Sequence, residues 1–370
     1  MGSDDRARAR NTLRQGIRSV LVVSALIGLV SLAVSPFLPV WLGGGSDITP
    51  TASAYFAIVA TALPIFQFSI FGAGMLRSSG NMVVPSVMSV VMMSLDVVFN
   101  FFLIFPTRPV QLFGAEVTIP GMGMGVVGAA IGTVSAELVA ASITMYILCF
   151  RSKELSLRID TGRFLPTWGV VKRALHISLP MGLQQTIMCS AYVMTTIIIA
   201  PLGTFAIAAN SFGVIVESLC YMPGYGIADA ATTLVGQSIG AGRHELMKRF
   251  AWLSVGLGVT VMAVMGLVMY VGAPVAMAMM TPAEEVRRLG VEVLRIEAFA
   301  EPMFAAAIVS YGVFVGAAKT LVPSIMNLVS IWGVRISLAA LLAPSMGLRG
   351  VWIAMCIELC FRGFIFLVKL

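Results

Sequence analysis

Apolar residues run along this chain in long blocks, and polar residues collect in the short gaps between them. Ten such blocks cover roughly 18–42, 51–75, 82–105, 124–149, 177–200, 206–234, 251–279, 293–317, 321–342 and 348–368. A helix rises about 1.5 Å per residue, so about 20 residues cross the hydrocarbon of a bilayer. Water is absent there, and each backbone N–H and C=O must be satisfied within its own segment, which dictates helix for every block. The pattern predicts an all-α polytopic membrane protein of about ten transmembrane helices. The eighth block is the least regular, because Arg295, Glu297 and Glu301 lie in its first turns.

Composition agrees with the pattern. Hydrophobic residues make up 58% of the 370 and charged residues only 11%, where a soluble domain carries about 25%. Mean hydropathy is +0.96. Where the charges sit adds orientation. With ten spans both termini share a side, and that side holds 18 of the lysines and arginines against 5 on the other, with Arg335 inside a span. Basic residues favour the cytoplasm, so both termini are expected there, in a bacterial-type inner (plasma) membrane. The net charge of +7 is then a topology signal and not a nucleic-acid footprint. All five cysteines fall in expected spans and their number is odd, which argues against a disulfide framework. The first span is too long for a signal-peptide core and is expected to be retained.

The chain also says one thing twice. VPSVM at 84–88 returns as VPSIM at 322–326, a shift of 238 that also maps Pro64 onto Pro302 and Pro36 onto Pro274. MGVVG at 124–128 matches MGLRG at 346–350 with a shift of 222, and the difference fits the longer connection 106–121. These are the marks of parallel repeats, a habit of secondary transporters. Three parts follow: an N-terminal lobe of four spans (1–150), a charged cytoplasmic linker (151–174) and a C-terminal lobe of six spans (175–370). Spans one to four match only the last four of the second half, so the first lobe is expected to lack two helices, roughly 70 residues.

Several stretches carry a family resemblance. They are Leu76-Arg77-Ser78-Ser79-Gly80-Asn81 with Pro85, Ile177-Ser178-Leu179-Pro180-Met181-Gly182, and Met222-Pro223. Leu234-Val235-Gly236-Gln237-Ser238-Ile239-Gly240-Ala241-Gly242-Arg243 and Trp332-Gly333-Val334-Arg335-Ile336 complete the set. In these the chain resembles the multidrug and toxic compound extrusion (MATE) family of secondary transporters, over essentially its whole length. The resemblance implies a six-plus-six pattern of helices, here four plus six, and export of bulky, often cationic compounds in exchange for sodium ions or protons. It also implies a coupling acid in the first helix of a lobe. That helix is missing from the first lobe, and in the second the region reads Gln184-Gln185-Thr186-Ile187-Met188-Cys189, without an acid.

Candidate coupling residues are therefore sought elsewhere. Asp96 and Asn100, four apart in an otherwise uncharged span, share one helix face. A carboxylate inside a membrane is costly and defaults to a functional hypothesis. With an amide beside it, it offers hard oxygen ligands to a transient sodium ion, or a site for a proton. The plainer role is a hydrogen bond between helices. The same choice applies to Glu217 and Glu137 in spans six and four. Gln184, Gln185, Asn210, Met92, Met93, Tyr221, Met222 and Tyr225 are candidates for the substrate cavity, the methionines because a polarizable thioether adapts to varied shapes. Arg335, Glu358 and Arg362 are assigned to structural charge pairing.

Enzyme chemistry finds no inventory here. The chain holds two histidines, no metalloprotease helix and no Walker lysine, so it is read as a non-enzyme without cofactor or resident metal. The expected function is cation-coupled antiport of small molecules by a monomer in the lipid bilayer. The alternatives are a flippase for a lipid-linked saccharide, which needs basic residues in its cavity, and a non-transporting remnant.

Overall fold

The computed structural model describes residues 6–41, 48–112, 115–152, 155–157, 165 and 167–370. Among them nine helices are long and apolar enough to cross a membrane, and one bent pair makes a tenth span. The chain is a multi-pass helical membrane protein, as its hydropathy pattern predicts. It divides at Trp168 and Gly169 into two compact units.

The first unit holds α1 (Arg6–Val34), α2 (Leu38–Trp41), α3 (Thr49–Ser78), α4 (Val83–Ile104) and α5 (Gly125–Tyr146). α1 stops where Pro36 cannot donate to the helix ladder, and Ser35 Oγ donates to the Ser53 carbonyl at 2.9 Å, fixing the turn against α3. α5 packs on α4 through glycines. A methyl on Gly132 would strike Asn100 Oδ1, so only glycine lets the two backbones approach there. α5 runs on into a π-helical turn, Ile147–Arg151, whose Leu148 closes a small core with Leu13, Leu76 and Leu155. The long connection after α4 is an antiparallel hairpin, β1 (Pro106–Leu112) and β2 (Ala115–Met122). Gly123 N–H and Met124 N–H, bonding back to Phe105 and Leu103 carbonyls at 3.0 and 2.9 Å, tie its base to α4.

The second unit holds α6 (Trp168–Ile199), α7 (Thr204–Gly240), α8 (His244–Met280), α9 (Glu284–Glu297) and α10 (Glu301–Gly316). α11 (Leu321–Leu328), a π-helical stretch (Val329–Ile336), α12 (Ser337–Met346) and α13 (Leu348–Lys369) complete it. α10 is the central helix, with Ala305, Ala306, Ala307, Val309 and Gly312 buried along it. Small residues matter because apolar burial gives helices little reason to associate in lipid; close backbone contact does. At Gly312 a Cβ would lie 2.6 Å from the Ala228 carbonyl of α7, and Thr232 Oγ1 donates to the Gly312 carbonyl at 2.8 Å.

The irregular eighth block proves to be two helices. α9 and α10 meet at 60° across Ala298–Ala300. Pro302 in the first turn of α10 has no N–H and opens a new helix well, which is why α9 must end before it. The π-helical stretch falls on the Trp332–Ile336 motif and shifts the faces of the helix that continues into α12.

Candidate functional site

Four glutamates from four helices lie out of water in the second unit. Glu297 ends α9 and Glu301 begins α10, each only 1% exposed, while Glu217 of α7 is 7% and Glu358 of α13 is 0% exposed. The bend explains the first two: α9 is amphipathic, and Glu297 falls on the face carrying the buried Val286, Val293 and Leu294. Glu301 packs on α8, where a Cβ at Gly266 would stand 3.1 Å from its own Cβ.

Their partners differ sharply. Glu358 Oε1 accepts from Ser330 Oγ at 2.6 Å, and Arg362 Nη2 donates to its Oε2 at 3.3 Å. Arg362 Nε sits 3.0 Å from Oε1 without the alignment of a hydrogen bond. Both oxygens of Glu297 and both of Glu301 have no hydrogen-bond partner among the described residues. Glu217 is an electrostatic neighbour of both, and Arg335 of Glu217 and Glu297. Arg335 itself reaches Met355 Sδ and no carboxylate oxygen by a direct hydrogen bond among the described residues. An unpartnered carboxylate held from water is a site waiting for a proton or a small cation. No three His, Cys, Asp or Glu among the described residues converge as a metal centre.

Beside the acids lies a cavity of about 350 Å³ between α6, α7, α10, α11 and α13. Gln184 and Gln185 reach it from α6, Tyr225 and Asp229 from α7, Phe304 and Tyr311 from α10, Asn327 from α11 and Arg362 from α13. Gln184 Oε1 accepts from Ser324 Oγ at 2.9 Å, which fixes the amide. The Arg362 guanidinium stands 5.3 Å from the Phe304 ring centre. Aromatic walls with a few fixed polar groups make a small-molecule site.

Of the expected cavity residues, the structure brings Gln184, Gln185 and Tyr225 together. Tyr221 is set behind the wall, edge-on to Tyr225 at 5.6 Å and to Phe304 at 5.7 Å. Met222 turns away from it and is more than half exposed. Asn210 belongs to a separate hollow of about 240 Å³ with Arg335, its Oδ1 accepting from Trp352 Nε1 at 3.1 Å. Met92 and Met93 stand on α4 of the first unit, Met93 exposed. On that helix Asp96 and Asn100 are half-buried, and one oxygen of each is shielded from solvent without a hydrogen-bond partner. Glu137 is buried in α5. Arg362, assigned by sequence to charge pairing, lies buried at the cavity wall beside Glu358.

Sequence reasoning misses Glu297 and Glu301 as site residues. Their i, i+4 spacing in a charged stretch reads as a span end meeting water, and burial of the α9 face is the fact it lacks. A signal is nevertheless present in the periodicity. Val286, Gly290, Val293 and Glu297 recur every three or four residues, which places Glu297 on the apolar face of a helix.

Comparison with known proteins gives one consistent answer. The family model described as MatE matches residues 1–102 and 180–341. The probable multidrug resistance protein NorM of Thermotoga maritima is 26% identical over 363 residues, covering 97% of this chain and 74% of the relative. That of Chromobacterium violaceum is 27% identical over 371 residues, covering 98% and 77%. Among solved structures, a MATE protein in a straight conformation superposes with a TM-score of 0.88 at 20% identity, covering all of this chain and 79% of that one. A structure described as a MOP superfamily transporter from Pyrococcus furiosus superposes with a TM-score of 0.87, also at 20% identity and with coverage of 100% and 79%.

Proposed function

From a chain that belongs to the MatE family of multi-pass membrane transporters, we propose a cation-coupled exporter of small organic molecules, exchanging them for sodium ions or protons by alternating access. The observation that carries the coupling is the pair of buried carboxylates at the α9–α10 bend, Glu297 and Glu301, which have no hydrogen-bond partner among the described residues. Carboxylates in that state change their charge or their cation when access alternates. The bound ion drives transport only if its affinity differs between the two states. A bend at the site is a natural place for such a difference to arise. Asp96 and Asn100, with a shielded oxygen each, serve the first unit in the same way, and Glu137 is its further acid.

The cavity beside Glu217 takes the substrate. Tyr225, Phe304 and Tyr311 offer aromatic faces, and Asp229 a negative charge. Aromatic faces and a carboxylate suit a flat organic cation. The relatives named for multidrug resistance support a small-molecule cargo. The protein acts as a monomer in the inner membrane with both termini cytoplasmic. Arg362 in the cavity wall is the feature a saccharide-pyrophosphate flippase would use. Its pairing with Glu358 neutralises it and favours the exporter.

The experiment is efflux of a fluorescent organic cation from proteoliposomes under an imposed sodium or proton gradient. Glu301→Gln and Glu297→Gln are compared with the parent at equal reconstituted amounts. Loss of gradient-driven efflux with substrate binding retained is expected, and the gradient that works identifies the ion. Undiminished efflux in both variants refutes the assignment.

A further inference from the structure

α9 turns a second polar face outward, away from the buried acids. Glu284, Arg287, Arg288, Glu292 and Arg295 recur at helical spacing and line a basin of about 430 Å³ beside Pro274 of α8. Glu284 pairs with Arg287, and Glu292 with Arg349 at 2.6 Å. Arg288 is exposed and has no ion pair among the described residues. Among the described residues the exposed Arg295 holds only neutral groups, the Tyr270 carbonyl at 3.5 Å and the Tyr270 ring at 5.2 Å. Arg287, Arg288, Arg295 and Arg349 stand against Glu284 and Glu292, so the basin keeps an excess of positive charge.

A hollow of opposite character begins at the same Arg295. Its walls are Tyr270, Ile296, Phe299, Ile353 and Ile357, its volume about 370 Å³. Depth can be read along α8. Charge ends at Arg249, and about 20 residues at 1.5 Å each then cross roughly 30 Å of hydrocarbon, reaching the level of Tyr270. Tyrosine collects at that boundary. Arg295 therefore stands at the headgroup level of the face opposite the charged His244–Arg249 turn. The basic basin extends outward from it, and the apolar hollow runs inward toward Ile357.

An anion above and an alkyl chain below describe one kind of molecule. We propose that this composite site holds an anionic phospholipid, with its phosphate between Arg288 and Arg295 and the upper part of one acyl chain along Phe299, Ile353 and Ile357. Charge complementarity selects the headgroup, and continuity of the two hollows through Arg295 requires an amphiphile instead of a free anion.

The test is native mass spectrometry of the full chain released from vesicles of phosphatidylglycerol and phosphatidylcholine in equal amounts with identical acyl chains. The parent is expected to retain phosphatidylglycerol in preference. Arg288→Gln with Arg295→Gln should reduce that preference about thirtyfold, since each basic side chain near anionic lipid contributes roughly fivefold. Ile357→Trp fills the hollow, leaves the basin intact and should weaken retention of both lipids. Equal retention by parent and double variant overturns the proposal, as does an equal loss in Arg243→Gln with Arg249→Gln at the other face. Competition by glycerophosphoglycerol, the same headgroup without chains, at concentrations matching the lipid also overturns it, because the site would then be a simple anion site.

Discussion

Replacing Glu358 by leucine removes one partner of an ion pair sealed inside the second unit. Glu358 is 0% and Arg362 6% exposed, their closest approach 3.0 Å, with Ser330 Oγ adding a hydrogen bond of 2.6 Å. Breaking a buried pair from one side leaves the other charge uncompensated and costs about 3–5 kcal/mol. Two features hold the value toward the lower end. Arg362 keeps the Phe304 ring at 5.3 Å, and it borders a cavity with room for water. A unit of this size shifts its midpoint by roughly 2–4 °C per kcal/mol, so a fall of roughly 6–12 °C is expected for about 3 kcal/mol. Thermal unfolding of the purified protein, followed by tryptophan fluorescence, reads it directly. Glu358→Leu with Arg362→Met removes both charges, and replacing a buried pair by apolar residues of similar volume is often neutral. The double variant should therefore regain most of the loss. It should still transport poorly, because Arg362 lines the cavity. A midpoint within about 2 °C of the parent for Glu358→Leu, or a double variant no more stable than the single, refutes the reasoning.

Two further outcomes follow from contacts described above. Gly312→Ala places a methyl 2.6 Å from the Ala228 carbonyl and strains the α7–α10 contact, at a cost of about 1–3 kcal/mol. Gly256→Ala on α8, where nothing lies within 4 Å, should leave the midpoint unchanged, and equal effects in the two variants would remove the close-packing argument. Asp96→Asn keeps the size of the side chain and removes its charge. It should abolish gradient-driven efflux at unchanged protein abundance in membranes, and full efflux at matched abundance would exclude Asp96 from coupling.

Much of the fold is legible in the chain because the deciding quantities are local. Blocks of apolar residues announce their helices one at a time, and the repeated VPSVM and VPSIM pentapeptides announce the common plan. The hairpin 106–122 has its own signal, since Val110, Leu112, Val117 and Ile119 alternate around a Phe-Gly pair. That signal is short and lies between two spans, where hydropathy alone reports only a connection. The substrate cavity is half visible. Gln184, Gln185 and Tyr225 are polar or aromatic residues inside spans and reach it, whereas Asn210 has the same credentials and hydrogen-bonds Trp352 elsewhere. Nothing within α7 distinguishes the two cases; the neighbouring helices do.

The same division explains the acids. Whether a segment enters a bilayer depends on a sum over its own residues, so the spans, their helical state and the membrane class of the protein follow from the chain read alone. Whether one carboxylate is paired, solvated or left alone depends on every side chain that covers it. Glu358 and Glu301 are both acids within expected spans, and the chain alone does not say how well either is covered. The i, i+4 spacing already offers Arg362 to Glu358, but only the packed bundle adds Ser330 to it and leaves Glu301 no hydrogen-bond partner among the described residues. Desolvation is a property of the surroundings, and the surroundings exist only once the helices have met.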